Sequence, residues 1–263
     1  MTAILGAESV GERKVLALER RPGGRLAEHD DGTLLGVAPW VGDAPRTFEV
    51  VAVDDEVASA LIGAVIEATT DTRLRAWSLR GRFSDRLRTA GFVEERELHE
   101  MRRRLPASAS EDGLGLAYRS FRPGDETAWL DLNNRAFHGH PEQGGLDHDD
   151  FADRTTRSWW RPDGLRLAEH GGDLVGFCWT KVHPDGVGEI YAIAVDPNHG
   201  GRGWGAALVS EGLRHLSDTE ECREAKLFVE GDNLPALDLY RSLGFESVGI
   251  DTALVRDPQP KRI

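Results

Sequence analysis

Apolar positions along this chain alternate between a period of two and a period near 3.6, the signature of strands interleaved with helices. Residues 7–20 predict a short amphipathic helix with Val15, Leu16 and Leu18 as its apolar set. Arg25 to Val41 predicts a strand, an Asp-Gly turn and a second strand, hence a hairpin. Strands follow at Phe48–Val53 and Leu74–Leu79, helices at Asp55–Thr69 and Phe83–Ala90, and a strand after Gly91-Phe92 that runs to Leu105. Pro106–Gly113 is small, polar and unpatterned and reads as a linker.

The plan then repeats. A strand at Leu116–Phe121 precedes a helix at Pro123–Phe137, with Pro123 in its first turn, and another near Asp149–Trp160. RLAEHGGDLVGFCWTKV, from Arg166 to Val182, matches RLAEHDDGTLLGVAPWV, from Arg25 to Val41. Later come a strand (Lys226–Glu230), a helix (Leu234–Leu243) and a terminal strand (Phe245–Val255). Asp238–Phe245 parallels Asp85–Phe92, each with Gly where a helix closes in the left-handed conformation. Two matches in one order indicate a tandem duplication, with domains at 1–105 and 116–263 joined by a linker at 106–115.

The second repeat carries one stretch without counterpart in the first. Gly188–Val195 reads as a strand, with Ile190, Ala192 and Ala194 expected on one face and Glu189, Tyr191, Ile193 and Val195 on the other. Asp196-Pro197-Asn198 ends it. Gly200, Gly201, Gly203 and Gly205 follow, with Arg202, Trp204 and Ala206 among them, and the pattern becomes helical through Leu208, Leu213 and Leu216. A glycine-rich loop entering a helix presents unpaired N–H groups at the positive end of a helix dipole, a site suited to phosphate.

Composition narrows the class. At 263 residues, 40% hydrophobic and 29% charged, the chain suits one large or two small domains of a soluble protein. No apolar run has membrane-spanning length, and MTAILGAES has no signal-peptide pattern, so a cytoplasmic protein is expected. Cys178 and Cys222 make no disulfide framework. A net charge of −13 argues against nucleic acid as a partner and leaves a monomer or a weak dimer open, a monomer being expected. His138, His140, His148 and His183 complete no recognised zinc spacing, so no metal is expected. Arg102–Arg104 reads as a solvated strand edge.

Gly200-Gly-Arg-Gly203-Trp-Gly205, followed by Asn233, Tyr240 and Leu243-Gly-Phe245, resembles the acetyl-coenzyme A dependent N-acetyltransferases of the GNAT superfamily. Gly200 stands where that family has Gln or Arg; the departure loses a side chain but no backbone donor. The resemblance implies an α/β fold of two tandem GNAT domains, each a central mixed sheet flanked by helices. It also implies acetyl-CoA as co-substrate, held by Ile193, Ala194, Val195, the loop Gly200–Ala206, and Asn233 with Leu234, Pro235, Ala236, Leu237 and Asp238.

Acetyl transfer to an amine needs a base, an oxyanion donor and a proton for the leaving thiolate. An α-amine with a pKa of roughly 7.7–8.0 needs only a weak base. Glu189, just before the loop, can supply one, and Tyr240 resembles the GNAT tyrosine that protonates the thiolate. Aligned through Val53-Asp54, the first repeat has Thr47 for Glu189, Leu87 for Tyr240, and the acids Asp54, Asp55 and Glu56 where pyrophosphate would sit. It is expected not to bind acetyl-CoA productively.

Asn134–Gly144 and Gly176–His183 further resemble the mycothiol synthase family, two-domain GNATs that acetylate the cysteinyl amine of a cysteine–glucosamine–inositol conjugate. The resemblance assigns Glu142, Lys181 and Glu12 to that pseudodisaccharide, along with Glu189 and Phe228, the last where the family has Tyr. Two other readings stay open. One is a GNAT for another amine, such as a protein N-terminus or an aminoglycoside; the other is a non-catalytic acyl-CoA sensor.

Overall fold

Twelve strand segments and their helices divide between two compact units in the computed structural model, which describes residues 24–28, 34–41, 45–106, 114–140 and 143–258. The expected helix at 7–20, most of the linker, and both Glu12 and Glu142 lie outside the described residues. One unit comprises Met1–His99, Glu230–Asn233 and Gly249–Ile263; the other comprises Glu100–Val229 and Leu234–Val248.

The first unit contains β1 (Gly24–Glu28), β2 (Leu34–Val41), β3 (Arg46–Glu49), β4 (Val51–Ala52), α1 (Asp55–Ala68), β5 (Leu74–Ser78) and α2 (Ser84–Thr89), and the start of β6 (Val93–Arg104). β1 and β2 form the expected antiparallel hairpin, β2 pairs with β3, and β3 runs parallel to β5. α1 forms because Ala58, Leu61, Ile62 and Val65 recur at helical spacing and face the sheet. They meet Phe48, Leu74 and Leu87 in one core.

The second unit contains β7 (Ala117–Ser120), α3 (Glu126–Ala136), α4 (His148–Thr155), β8 (Leu165–His170), β9 (Asp173–Val182), β10 (Gly188–Val195), α5 (Trp204–Asp218), β11 (Glu224–Glu230) and α6 (Leu234–Ser242). β7 through β10 are joined antiparallel, and β10 pairs parallel with β11. Alternation along β9 feeds two cores. Cys178 packs with Leu208, Leu213 and Leu216 of α5, whereas Phe177 and Trp179 pack with Trp129 of α3. Gly212 of α5 lies so close to β9 that a Cβ there would come within 2.4 Å of the Cys178 sulfur. Pro123 stands in the turn before α3, whose first helical residue is Glu126, so it does not open the helix as expected.

The last strand, β12 (Glu246–Arg256), departs from the expected division at 116–263. Thr252–Arg256 pair antiparallel with Leu74–Ser78, and Leu254 is buried with Leu61 and Phe48, so this end of the chain belongs to the first unit. Glu100–Arg104 go the other way, because Met101 sits in the α5 core and the Leu105 N–H donates to the Arg223 carbonyl at 2.9 Å. Arg102 is therefore no solvated edge. It bridges Glu100 and Glu224, each at 2.6 Å, on a strand that neighbours β11.

Replacing Leu254 by Ala leaves a cavity in the first unit's core and is expected to cost about 2–5 kcal/mol. Urea denaturation of the two proteins checks this; a change within experimental error would mean that β12 does not complete that core.

Candidate functional site

β10 begins with Gly188, whose missing side chain makes room for Leu216 of α5; a Cβ would lie 2.8 Å from a Leu216 methyl. From there the strand does two things that its apolar sequence does not announce. Its parallel ladder with β11 covers only Gly188–Ile190 against Ala225–Leu227, after which β10 pairs with β9 alone. Its antiparallel register with β9 also slips at Tyr191, since Ile190 faces Thr180 while Ala192 faces Trp179. One extra residue in a strand reverses the alternation beyond it.

The expected faces are corrected accordingly. Ile190, Ile193 and Val195 pack toward the α5 core, whereas Tyr191, Ala192 and Ala194 pack toward the tryptophan core. Ile193, Ala194 and Val195 thus lie where β10 has parted from β11, and among the described residues their backbone edge on that side has no ladder partner. An edge of this kind offers N–H and C=O groups to an extended ligand.

The loop that follows is fixed at its start. Asp196, buried, accepts from the Asn198 N–H at 2.9 Å and from Arg135 Nη2 at 2.6 Å, while its own N–H donates to the Val175 carbonyl. Arg135 and Asp196 escaped the sequence reading; only the strand-breaking Asp-Pro pair hinted at the second. Gly201 and Gly203 adopt φ of 78° and 77°, which non-glycine residues avoid. Gly203 is the N-cap of α5, gives it no capping side chain, and is followed by no acid in the first turn. The N–H groups of Trp204, Gly205 and Ala206 are therefore left for a ligand. The Trp204 ring is buried between His170 and the stacked His199, with Arg202 over it, so Trp204 can contribute to a phosphate site by backbone only.

The corresponding helix of the first repeat is closed. The Asp54 carboxylate caps α1 by accepting from the Val57 N–H at 2.9 Å, and Asp55 and Glu56 fill the first turn. Asp54 thus occupies one of the donors that a phosphate would use, and the charges of Asp55 and Glu56 repel a second anion.

Glu189 is 7% exposed. Its register partners are Lys181 on β9 and the buried Lys226 on β11, and His183 Nε2 hydrogen-bonds its Oε2. Burial alone would raise its carboxyl; the His183 hydrogen bond and the charges of Lys181 and Lys226 outweigh burial, so the group titrates below the usual carboxylate range. It is ionised at neutral pH. Lys181 Nζ lies over the rings of Trp159 and Tyr191, at 4.9 and 5.6 Å. Phe228, at 39% exposure, presents its ring to solvent, with Lys226 Nζ 5.9 Å from its centroid. Lys226 went unnoticed in the sequence, where nothing links it to a residue on another strand.

Asn233 closes the turn between β11 and α6, its N–H donating to the Glu230 carbonyl at 3.1 Å. Leu234 and Pro235, both exposed, open α6, and Ala236 and Leu237 turn toward the α5 core while Asp238 faces solvent. Tyr240 is buried in that core together with Ile193, Val195 and Cys178. Burial, with Cys178 nearby, raises its phenol above the ordinary value, so it stays protonated. Gly244 closes the helix at φ 81°.

The segment after α3 is pinned by two asparagines. Asn133 Nδ2 donates to the Gln143 carbonyl at 2.7 Å, and Asn134 exchanges two hydrogen bonds with the Leu146 backbone. The four histidines considered for a metal do not converge, since His183 goes to Glu189 and His140 Nδ1 accepts from the Gln143 N–H. Among the described residues, the potential ligand atoms that do converge belong to Asp163, His215 and Glu220, within 4.8 Å of one another. His215 Nε2 lies 3.6 Å from Glu220 Oε1 at the C-terminal end of α5, where burial lowers the imidazole below its ordinary value and favours the neutral ring.

Known proteins resemble this chain in sequence and in fold. The sequence model of the Acetyltransferase (GNAT) family matches residues 127–245. A mycothiol acetyltransferase of Thermomonospora curvata is 37% identical over 97% of this chain and 89% of its own length. One from Streptomyces bingchenggensis is 38% identical over 94% and 86%. In fold, the chain is similar to a GCN5-related N-acetyltransferase from Sphaerobacter thermophilus, with a TM-score of 0.71 at 20% identity over 89% and 80% of the two chains. A tandem GNAT protein from the clavulanic acid biosynthesis pathway gives 0.67 at 16% identity over 95% and 88%.

A Cβ at position 203 would meet nothing closer than Leu114 at 3.9 Å, so Gly203→Ala acts through backbone strain alone. A left-handed Ala costs about 1–2 kcal/mol, and relieving it turns the first-turn N–H groups. Calorimetric titration with acetyl-CoA is expected to show affinity reduced about tenfold; unchanged affinity would place the phosphates elsewhere.

Proposed function

Because this chain belongs to the mycothiol acetyltransferase family of GNAT proteins, we propose that it moves the acetyl group of acetyl-CoA to the cysteinyl amine of a cysteine–glucosamine–inositol conjugate. It is an acetyl-CoA-dependent N-acetyltransferase acting on a small-molecule amine. Among the described residues no helix is long and apolar enough to cross a membrane.

The observation that carries the site assignment is the contrast between the repeats: Asp54 seals the N-terminus of α1, and Gly203 leaves that of α5 open. The residues present fit a pyrophosphate-bearing ligand. The uncapped turn at Trp204–Ala206 would hold the phosphates, and the unpaired edge of Ile193–Val195 would hold the extended pantetheine and the acetyl group. Acetyl-CoA supplies the reactive thioester. Asn233 and the first turn of α6, Leu234–Asp238, would flank the pantetheine side.

Glu189 takes the proton of the attacking amine. Its low pKa makes it a weak base, which suffices for an amine whose own pKa is roughly 7.7–8.0. A backbone N–H on the parted edge of β10 donates to the carbonyl oxygen as negative charge develops on it. Tyr240, kept protonated by burial, supplies the proton to the departing thiolate. Lys181 and Phe228 would contact the acceptor. The cationic edge of Lys181 suits hydroxyl oxygens, which accept hydrogen bonds. Phe228 cannot donate one.

Glu189→Gln is expected to lower kcat about a hundredfold or more at neutral pH, with partial recovery at alkaline pH where the amine deprotonates unaided. Thiol release from acetyl-CoA in the presence of the cysteinyl pseudodisaccharide measures it; a loss independent of pH would make Glu189 a binding residue. Tyr240→Phe is expected to slow turnover about tenfold or more while leaving acetyl-CoA affinity intact. Wild-type turnover in that variant removes the tyrosine from the reaction.

A further inference from the structure

The β9–β10 hairpin ends in a turn whose backbone is fixed on both sides of one histidine. The His183 N–H donates to the Val187 carbonyl at 2.9 Å, and its carbonyl accepts from the Gly186 N–H at 2.9 Å. Asp185 Oδ1 accepts from the Val187 N–H at 3.0 Å, and Gly186 takes φ of 82° to complete the turn. Val182 sits opposite Gly188 and Lys181 opposite Glu189. Strand alternation therefore sends Lys181 and His183 to the same side of the sheet as Glu189. The imidazole arrives against the carboxylate, with side chains only 15% and 10% exposed.

Among the described residues, the other charged groups that act on this carboxylate are cations, with one acid in the same turn. Lys181 approaches from β9 and Lys226 from β11, while Asp185 sits beside His183 in the turn. A flexible ammonium can pair with either carboxylate oxygen, and both lysines would compete for the lone pair that a base must keep open. A ring on a fixed backbone cannot wander in this way. An ionised carboxylate only accepts, so the nitrogen against it carries the hydrogen.

We propose that His183 is a positioning residue for Glu189: its Nε2–H holds Oε2, fixes the carboxylate rotamer and leaves Oε1 to receive the amine proton. This rests on the reading of Glu189 as the base. His183 touches neither reacting partner in this scheme. It acts through the carboxylate, and by donating to it keeps Glu189 ionised at lower pH than burial would allow.

The test compares two amides in the full-length protein. In His183→Gln the side-chain nitrogen reaches the place of Nε2; in His183→Asn it stops near Nδ1 and falls short of Oε2. Turnover with saturating acetyl-CoA and cysteinyl pseudodisaccharide is followed by thiol release from pH 5.5 to 8.5, alongside acetyl-CoA affinity by calorimetry and folding by circular dichroism. The expected result is a loss of kcat in His183→Asn of about tenfold to a hundredfold at neutral pH. That loss grows as pH falls, because the Glu189 carboxyl then titrates higher; taking the ratio to wild type cancels the titration of the amine itself. His183→Gln recovers most of the activity, and acetyl-CoA affinity is unchanged in both.

Equal activity of both variants with wild type overturns the proposal, as does equal impairment of both at every pH. If Glu189→Gln is itself as active as wild type, the base assignment falls first. If Glu189→Gln is impaired and His183→Asn is not, only the positioning role falls.

Discussion

One extra residue in one strand decides what the second unit can do. At Tyr191 the register of β10 against β9 slips, and beyond Ile190 its ladder with β11 stops. Had β10 stayed regular, Ile193 and Val195 would share a face with Glu189, and both edges of the strand would be consumed by sheet hydrogen bonds. The bulge sends these two residues to the α5 core, where Tyr240 is also buried, and the parting frees the backbone edge beside them. Glu189, just before the slip, stays among polar groups while the residues after it meet apolar ones.

Those polar groups form a charge arrangement that a buried acid requires. Two lysines and a histidine surround one carboxylate, and their combined pull exceeds the cost of removing it from water. The tyrosine is treated in the opposite way. It is buried without a cation to favour its anion, so it keeps its proton. An ionised carboxylate and a protonated phenol are thus held in one unit by giving one group charged neighbours and burying the other among apolar ones.

Much of this was legible in the sequence wherever the signal is local. Period, turn residues and glycines placed the hairpins, the loop into α5 and the close at Gly244 within a residue or two, because each depends on a few consecutive positions. The faces of β10 were misread, since Ile-Tyr-Ala-Ile-Ala-Val is apolar throughout and no alternation marks an inserted residue. Lys226 and the contact of His183 with Glu189 depend on which strands become neighbours. So does the capture of Thr252–Arg256 by Leu74–Ser78, residues separated by most of the chain. Arg102 was misplaced for the same reason, its partner Glu224 lying on another strand.

The sealed helix of the first repeat has a consequence for how the two copies came to differ. Asp54 and Asp196 occupy equivalent places after their strands, yet α1 starts directly after Asp54 whereas Pro197–Gly203 intervene before α5. What separates the two repeats is the length of this connection, and the aspartate that anchors a loop in one is the helix cap in the other. Exchange of single residues cannot undo that, because no residue placed at position 54 lengthens the connection. Opening the start of α1 to a phosphate would take an insertion after Asp54, not a substitution.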